Sequence, residues 1–108
     1  MRYEIVLAPE AVDDLRNLAA HRRSQVRDAM ERHLRFEPTR TSKSRIKRLR
    51  GLSRPQLRLR VGDEVRVFYD VSANTVEVLA IVPKSQAAEW LERYGRSDEE
   101  SGPVGTEG

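Results

Sequence analysis

The sequence predicts one α+β domain with an N-terminal strand, a helical hairpin, a three-stranded antiparallel meander and a C-terminal helix. Three observations lead to this fold class. Residues 9–34 carry apolar side chains at helical spacing in two stretches. Residues 56–82 alternate apolar and polar side chains in three runs separated by short turns. A chain of 108 residues has room for one hydrophobic core.

The first elements are a strand and two helices. Alternating apolar residues predict a strand over residues 2–7. The first helix is expected over residues 9–20, because Pro9 suits the first turn of a helix. Ser24 is the predicted N-cap of the second helix, which ends before Pro38 because the residue preceding a proline is pushed out of helical geometry. The short link predicts an antiparallel hairpin.

A basic loop and the meander follow. Residues 39–54 are polar and weakly periodic, which predicts a loop in which Ile46 and Leu49 are the candidate anchors. Gly62 and Asp63 form the predicted turn between the first two strands. Three strands are predicted, at residues 56–61, 64–71 and 75–82.

The last strand is apolar on both faces, so the sheet needs a covering layer on each side. Strict alternation groups Val76, Val78, Ala80 and Val82, and groups Leu79 and Ile81 with Phe68 on the opposite face. A helix over residues 83–94 is predicted to cover that second face, with four apolar side chains at helical spacing: Ala87, Trp90, Leu91 and Tyr94. The domain is predicted to span residues 1–95, and residues 96–108 to form a disordered acidic tail.

The charge distribution indicates a polyanion as partner. The formal net charge of the chain is +3, and residues 1–95 alone carry +6. Between Arg40 and Arg60 there are nine basic residues and no acidic one. A field of one sign at this density attracts nucleic acid and speeds its association.

The period of the strands places three arginines on one face. Arg58 and Arg60 project from one predicted strand, and Arg66 projects from its hairpin neighbour. Guanidinium groups match phosphate oxygens and a phosphoryl transition state. The alternative is a solvated basic face, but three arginines beside the basic segment favour anion binding.

Lys84 and Tyr94 are the candidates for proton transfer. Lys84 follows the last strand and could reach the edge of the arginine surface; the alternative interpretation is an ordinary solvated lysine. Tyr94 presents its phenol near the site or packs with Trp90 in the core, and packing is favoured from the sequence. His33 is expected at the core boundary and His21 in solvent.

Several function classes are disfavoured. No paired carboxylates for a metal are evident on the basic face, and we expect no cofactor. The chain lacks cysteine and any long apolar run, which indicates a cytoplasmic protein without a membrane partner.

The order of these elements and several local motifs resemble RelE/ParE toxins of type II toxin–antitoxin systems, and the short hairpin is more similar to the RelE-like branch. The resemblance covers residues 1–95 and is carried by these segments: Tyr3-Glu4-Ile5, Ala8-Pro9-Glu10-Ala11-Val12-Asp13-Asp14-Leu15, Arg48-Leu49-Arg50-Gly51-Leu52, Leu57-Arg58-Leu59-Arg60, Arg66-Val67-Phe68-Tyr69-Asp70-Val71 and Val78-Leu79-Ala80-Ile81-Val82-Pro83-Lys84.

The resemblance implies a RelE-like microbial RNase-type fold and a metal-independent, ribosome-dependent mRNA endoribonuclease. In such enzymes the 2′-hydroxyl attacks the adjacent phosphate, and an antitoxin, usually encoded adjacently, holds the toxin inactive in a hetero-oligomer. The implied catalytic residues are Arg58, Arg66, Lys84 and Tyr94. The implied RNA-binding residues are Arg45, Lys47, Arg48, Arg50 and Arg60.

The sequence departs from the cleaving members at three positions. Gln56 and Arg58 stand where the strongest nucleases carry lysines, and Ser85 stands where they carry an arginine. Arginine is a poor general base. Two alternatives therefore stay open, namely a ParE-like DNA gyrase inhibitor and a member that binds antitoxin or RNA without cleavage.

Overall fold

Two helical layers cover opposite faces of a five-stranded sheet in the computed structural model, which describes residues 1–97. The helices are α1 (Pro9–Arg16), α2 (Ala20–Leu34) and α3 (Lys84–Tyr94). The strands are β1 (Glu4–Leu7), β2 (Ile46–Arg48), β3 (Leu52–Arg54), β4 (Leu57–Val61), β5 (Val65–Ser72), β6 (Thr75–Pro83) and β7 (Arg96–Ser97). This arrangement confirms the predicted α+β fold.

The main sheet has the strand order β1-β6-β5-β4-β2. β4, β5 and β6 form the predicted antiparallel meander, and β2 adds an antiparallel strand beside β4. β1 pairs parallel with β6, because the hairpin of α1 and α2 and the meander intervene between them in the chain. A second sheet consists of β3 and β7.

The larger core lies between the helical hairpin and one face of the sheet. Leu57, Leu59 and Tyr69 are fully buried there against α2. The Tyr69 hydroxyl donates a hydrogen bond of 2.6 Å to the Pro38 carbonyl, which ties the end of the hairpin to the sheet. Burial raises the pKa of this phenol, so Tyr69 is a structural residue.

A β-bulge at Leu79 changes which residues of β6 face each layer. Phe68 pairs with Ala80 and Tyr69 pairs with Val78, so Leu79 is the extra residue on β6. Beyond the bulge the alternation is reversed: Ile81 belongs to the hairpin-side core. The predicted faces of the residues after Leu79 are therefore wrong.

The second core lies under α3. Phe68 and Ala80 are fully buried, and Val82 is nearly so. Trp90 and three other apolar side chains pack against them: Leu49, Ala87 and Leu91. This confirms that α3 covers the second face of the sheet.

The two hairpin helices differ from their predicted bounds. α1 ends at Arg16, where the Asn17 N–H donates to the Asp13 carbonyl. α2 begins at Ala20, so the prediction that Ser24 is its N-cap is wrong. The arginines and the histidine in its first turns have room at the surface, and they do not interrupt the helical backbone.

The predicted loop over residues 39–54 contains β2 and β3, two strands of three residues each. Ile46 is buried opposite Leu59 and Leu49 packs under α3, so both anchors are confirmed. β7 also departs from prediction, because Arg96–Ser97 pair with β3 where the tail was expected to begin. The rest of the predicted tail, residues 98–108, lies outside the described residues.

Asp14 links α1 to the bulged strand. Its Oδ2 accepts a hydrogen bond of 2.9 Å from the Ile81 N–H, beyond the point where β1 stops pairing with β6. Burial, partly offset by this hydrogen bond, raises the pKa of the Asp14 carboxyl. In residues 1–97, no helix has the length and apolar character needed to cross a membrane.

Candidate nucleic-acid interface

Arg58, Arg60 and Arg66 lie on the α3 side of the sheet and are called the arginine face below. Arg60 on β4 is paired directly with Arg66 on β5. Arg58 lies two residues before Arg60 and opposite Phe68. Residues paired across antiparallel strands point to the same side of a sheet. The strand register therefore places Arg58, Arg60 and Arg66 on one face, as the alternation of side chains predicted.

Arg66 is a buried cation to which no carboxylate of residues 1–97 is bonded. It is 7% exposed, and its Nη1 donates to the carbonyl oxygens of Val65 at 3.0 Å and Gly62 at 3.5 Å. Burial first and repulsion from Arg60 second lower the pKa of Arg66. Asp63 and Glu64 compensate its charge only in part, and an incoming anion would compensate it further.

Arg58 presents a buried donor that the fold leaves open. Its Nε has no hydrogen-bond partner in the described part of the chain. Its Nη2 donates to the Ser44 carbonyl at 3.3 Å, which directs the side chain toward the segment before β2. Burial, followed by repulsion from Arg66 and Arg60, lowers the pKa of Arg58. A buried unpaired donor costs free energy, and because this Nε is shielded from solvent a phosphate oxygen would reach it only after the Arg58 side chain moves.

Arg60 is more fully occupied than its neighbours. It forms an ion pair with Asp63, and its Nε donates to the Gly62 carbonyl at 3.0 Å. The Gly62 carbonyl thus accepts from both Arg60 and Arg66. The sequence indicated a turn at Gly62, but it gave no signal that this carbonyl would position two guanidinium groups.

An aromatic stack borders the arginine face. The Phe68 and Trp90 rings are 5.1 Å apart with an interplanar angle of 5°. Since Phe68 pairs with Arg58, the stack lies on the same side of the sheet as the arginine face. Apolar surface on that side lowers the local polarity and strengthens the attraction between the arginines and an anion.

The structure separates the two candidates for proton transfer. Lys84 begins α3 and its backbone N–H donates to the Glu64 carbonyl at 2.7 Å, at the end of the sheet that carries Arg66. Tyr94 ends α3, about 15 Å further along the helix axis at 1.5 Å per residue. The Tyr94 ring is 58% exposed and lies 5.5 Å from Trp90, so it is not a core residue.

Tyr94 instead borders a depression of about 590 Å³ at the other end of α3, lined also by Asp14, Arg54 and Arg96. Arg54, which belongs to the basic segment, is paired with Asp70 at 3.2 Å and with Glu77 at 3.5 Å. Its charge is thus used within the fold, away from the arginine face.

The predicted RNA-binding residues divide between the two sides of the sheet. Lys47 pairs with Arg58 and shares its face. Arg48 pairs with Leu57, which belongs to the hairpin-side core, so Arg48 lies on the opposite side. Arg50 is exposed in the turn after β2. The remaining one, Arg45, lies at the sheet edge.

Both histidines lie on α2, which packs on the opposite side of the sheet from the arginine face. His21 is exposed on α2, and His33 is half-buried further along the same helix, as predicted. Burial, followed by repulsion from Arg45 and Arg32, lowers the pKa of His33. Within residues 1–97 no three His, Cys, Asp or Glu side chains form a group that could hold a metal ion.

No protein-family model and no curated protein matches the sequence. Solved structures do match. The toxin–antitoxin complex RelBE2 from Mycobacterium tuberculosis contains a chain that is 23% identical, with a TM-score of 0.63, covering 78% of this chain and 100% of that one. The archaeal RelE–RelB complex from Pyrococcus horikoshii OT3 gives 25% identity and a TM-score of 0.59, covering 80% and 99%.

A third match is the DinJ–YafQ toxin–antitoxin complex from E. coli, at 13% identity and a TM-score of 0.60, covering 82% of this chain and 97% of that one. These matches span almost the whole of each neighbouring chain. The chain therefore has the fold of RelE-like toxins.

Proposed function

We propose that this chain is the toxin of a type II toxin–antitoxin pair and that it cleaves mRNA on the ribosome, which stops translation. The observation that carries the proposal is the arginine face, where within residues 1–97 Arg66 is buried without a bonded carboxylate and the Arg58 Nε has no hydrogen-bond partner. The likeness to chains from toxin–antitoxin complexes supports a toxin role.

The proposed reaction is an attack of the RNA 2′-oxygen on the adjacent phosphorus. The 2′-hydroxyl loses its proton, the new P–O bond forms, and the bond to the 5′-oxygen breaks as that oxygen takes up a proton. Negative charge accumulates on the non-bridging oxygens in the transition state. In this proposal Arg58 and Arg66 donate hydrogen bonds to these oxygens, and preorganised donors of this kind favour the transition state over the ground state.

Lys84 is the proposed proton carrier. It lies at the same end of the sheet as Arg66, and its side chain is exposed at the start of α3. The arginines keep their protons at neutral pH even with lowered pKa values, so they clamp the phosphate and do not deprotonate the hydroxyl. Tyr94 lies at the opposite end of α3 from Lys84, beside Trp90.

The proposed protein partner is an antitoxin with an acidic or amphipathic segment. Such a segment would neutralise the arginine face and the basic edge of the sheet in the inactive complex. The matched structures are themselves toxin–antitoxin complexes. Charge reversal in the segment from Arg40 to Arg60 is expected to weaken the complex.

A second candidate function is RNA binding without cleavage. It is favoured by the separation of Lys84 and Tyr94 at opposite ends of α3, because the two candidates for proton transfer do not lie together. A third, inhibition of DNA gyrase, is distinguished by the same experiment.

The experiment is induced expression with pulse-labelling of protein and DNA synthesis, followed by primer extension on ribosome-bound mRNA. We expect protein synthesis to fall first and cleavage to occur within translated codons. Arg66→Ala should abolish growth inhibition while the protein remains folded. Arg27→Ala, which removes an exposed arginine from α2, is the matched control and should remain toxic.

Three results would argue against the proposal. A fall in DNA synthesis before translation supports a gyrase inhibitor. Absence of any effect on growth supports a binding protein. Full toxicity of a folded Arg66→Ala protein means that the arginine face is not the active site.

A further inference from the structure

Arg45 lies where three surface depressions meet at the β2 edge of the sheet. The first, of about 250 Å³, joins Arg45 to Arg60 and Gly62. The second, of about 260 Å³, joins it to Arg32 and His33 of α2. The third, of about 230 Å³, shares Arg32, His33 and Arg45 with the second and extends to Arg40. Together they form a continuous path from the arginine face around the sheet edge, called the edge groove below.

The backbone at Arg45 is fixed although its side chain is exposed. Its N–H donates to Ser42 Oγ at 3.0 Å, and its carbonyl accepts from the Arg60 N–H at 2.8 Å. The second bond places Arg45 beside Arg60 on the neighbouring strand. The backbone of Arg45 is thus held at the border between the two sides of the sheet.

The charges of the edge groove leave two guanidinium groups available. Arg60 is paired with Asp63, and Arg40 is paired with Glu37 at 3.1 Å. Arg32 and Arg45 take part in no ion pair within residues 1–97. The one other acid that lines the groove is Asp28 on α2.

His33 reports the electrostatic potential in this groove. His33 lines the groove together with Arg32 and Arg45, and both arginines lower its pKa, after burial as the largest cause. An anion bridging the two arginines would reverse their effect on the imidazolium. The pKa of His33 should therefore rise when the groove is occupied.

We propose that the edge groove is a second binding site for the sugar–phosphate backbone of single-stranded RNA, with Arg45 and Arg32 as its phosphate ligands. This inference rests on the proposed function, because the RNA would enter the groove from the phosphate held on the arginine face. Arg45 is the connection between the two sites. The groove thus holds the strand that flanks the scissile phosphate.

The test compares a 2′-O-methyl octanucleotide with a 2′-O-methyl dinucleotide, since the blocked hydroxyl prevents cleavage. Arg45→Ala and Arg32→Ala should weaken octanucleotide binding by about 3- to 10-fold and lower the salt slope by about 0.7 for each lost phosphate contact. Neither change should affect the dinucleotide. Arg27→Ala controls for loss of one exposed positive charge from α2.

The NMR titration of the two histidines provides an independent measurement. The octanucleotide should raise the pKa of His33 and leave that of His21, exposed elsewhere on α2, unchanged. The effect should disappear in Arg45→Ala. The dinucleotide should leave His33 unchanged, because one phosphate occupies the arginine face alone.

The two proposals fail in different ways. If both edge-groove variants bind the octanucleotide like the parent and His33 does not respond, the edge groove is not an RNA site, even where Arg66→Ala abolishes binding. If Arg66→Ala binds like the parent while His33 still responds, the edge groove stands and the arginine face fails.

Discussion

Arg60 and Arg66 face each other across β4 and β5, and both donate a hydrogen bond to the carbonyl oxygen of Gly62, at 3.0 Å and 3.5 Å. Like charges directly opposite each other destabilise an antiparallel sheet. The shared carbonyl and Asp63 reduce this repulsion but do not remove it, since burial first and repulsion from Arg60 second keep the pKa of Arg66 lowered. If the arginine face binds phosphate as proposed, the bound anion is expected to recover this energetic cost.

Pyrophosphate is therefore expected to stabilise the protein through the arginine face. A ligand at ten times its Kd adds about 1.4 kcal/mol to the free energy of unfolding, which for a domain of this size raises Tm by roughly 5–10 °C. Arg66→Met keeps an unbranched side chain without the charge, and it should abolish most of the rise. Thermal unfolding with and without pyrophosphate measures this, and an equal rise in both proteins contradicts it.

Asp14→Asn should change the pH dependence of stability. The folded pKa of Asp14 is raised, so its contribution is present at low pH and is lost as the pH rises through the folded pKa. Asparagine keeps an oxygen acceptor for the Ile81 N–H and never ionises. The stability of Asp14→Asn relative to the parent should therefore increase as the pH rises above about 4, as measured by urea unfolding.

Asp14→Ala is the matched comparison. It also removes the charge, but it leaves the Ile81 N–H without its acceptor, which costs about 1–3 kcal/mol. It should be less stable than Asp14→Asn at every pH. Parallel pH profiles of the parent and Asp14→Asn would show that this carboxyl does not titrate differently in the folded protein.

The sequence predicted the layers well and the details of register less well. Before the bulge, the alternation correctly placed Phe68 and Tyr69 on opposite faces of the sheet. It failed after Leu79 because residues 78–82 are all apolar, so either register buries apolar side chains. β2 and β3 were missed because three residues are too few to show a period of two.

The arginine face was predictable because Arg58, Arg60 and Arg66 stand at strand positions that fix their direction. The unpaired Arg58 Nε and the two hydrogen bonds to the Gly62 carbonyl could not be predicted, since they depend on the geometry of the turn and of the segment near Ser44. The exposed position of Tyr94 at the end of α3 could not be predicted either, because the helical spacing of apolar residues specifies a side of the helix and not how far the sheet extends beneath it.

Trp90→Ala should destabilise the α3 layer. Trp90 stacks on the fully buried Phe68, so its loss uncovers an aromatic core residue. The expected loss in the free energy of unfolding is about 2–4 kcal/mol. This is somewhat less than for a fully buried tryptophan, because Trp90 is partly exposed. Urea unfolding followed by far-UV circular dichroism measures it, since the variant lacks the single tryptophan. Trp90→Phe retains an aromatic partner and should recover at least half of the loss.

Lys84→Met and Tyr94→Phe should differ in activity. Lys84 lies at the arginine end of α3 and Tyr94 at the opposite end, so Lys84→Met should reduce mRNA cleavage by about 10²-fold or more, while Tyr94→Phe should remain within twofold of the parent. Single-turnover cleavage on purified ribosomes provides the comparison. Strong loss of activity in a folded Tyr94→Phe protein would show that the Tyr94 phenol takes part in the reaction.

Gly62→Ala should weaken both the fold and anion binding, and Gly51→Ala should weaken the fold alone. Both glycines have positive φ angles, +59° and +75°, which an alanine adopts at a cost of roughly 1 kcal/mol. A Cβ at Gly62 also lies 3.2 Å from the Gln25 side chain, and any shift of the turn moves the carbonyl that positions Arg60 and Arg66. A Cβ at Gly51 meets nothing within 4 Å. Pyrophosphate titration should therefore show a several-fold higher Kd for Gly62→Ala alone, and equal Kd values in both variants would show that the Gly62 carbonyl does not position the arginines.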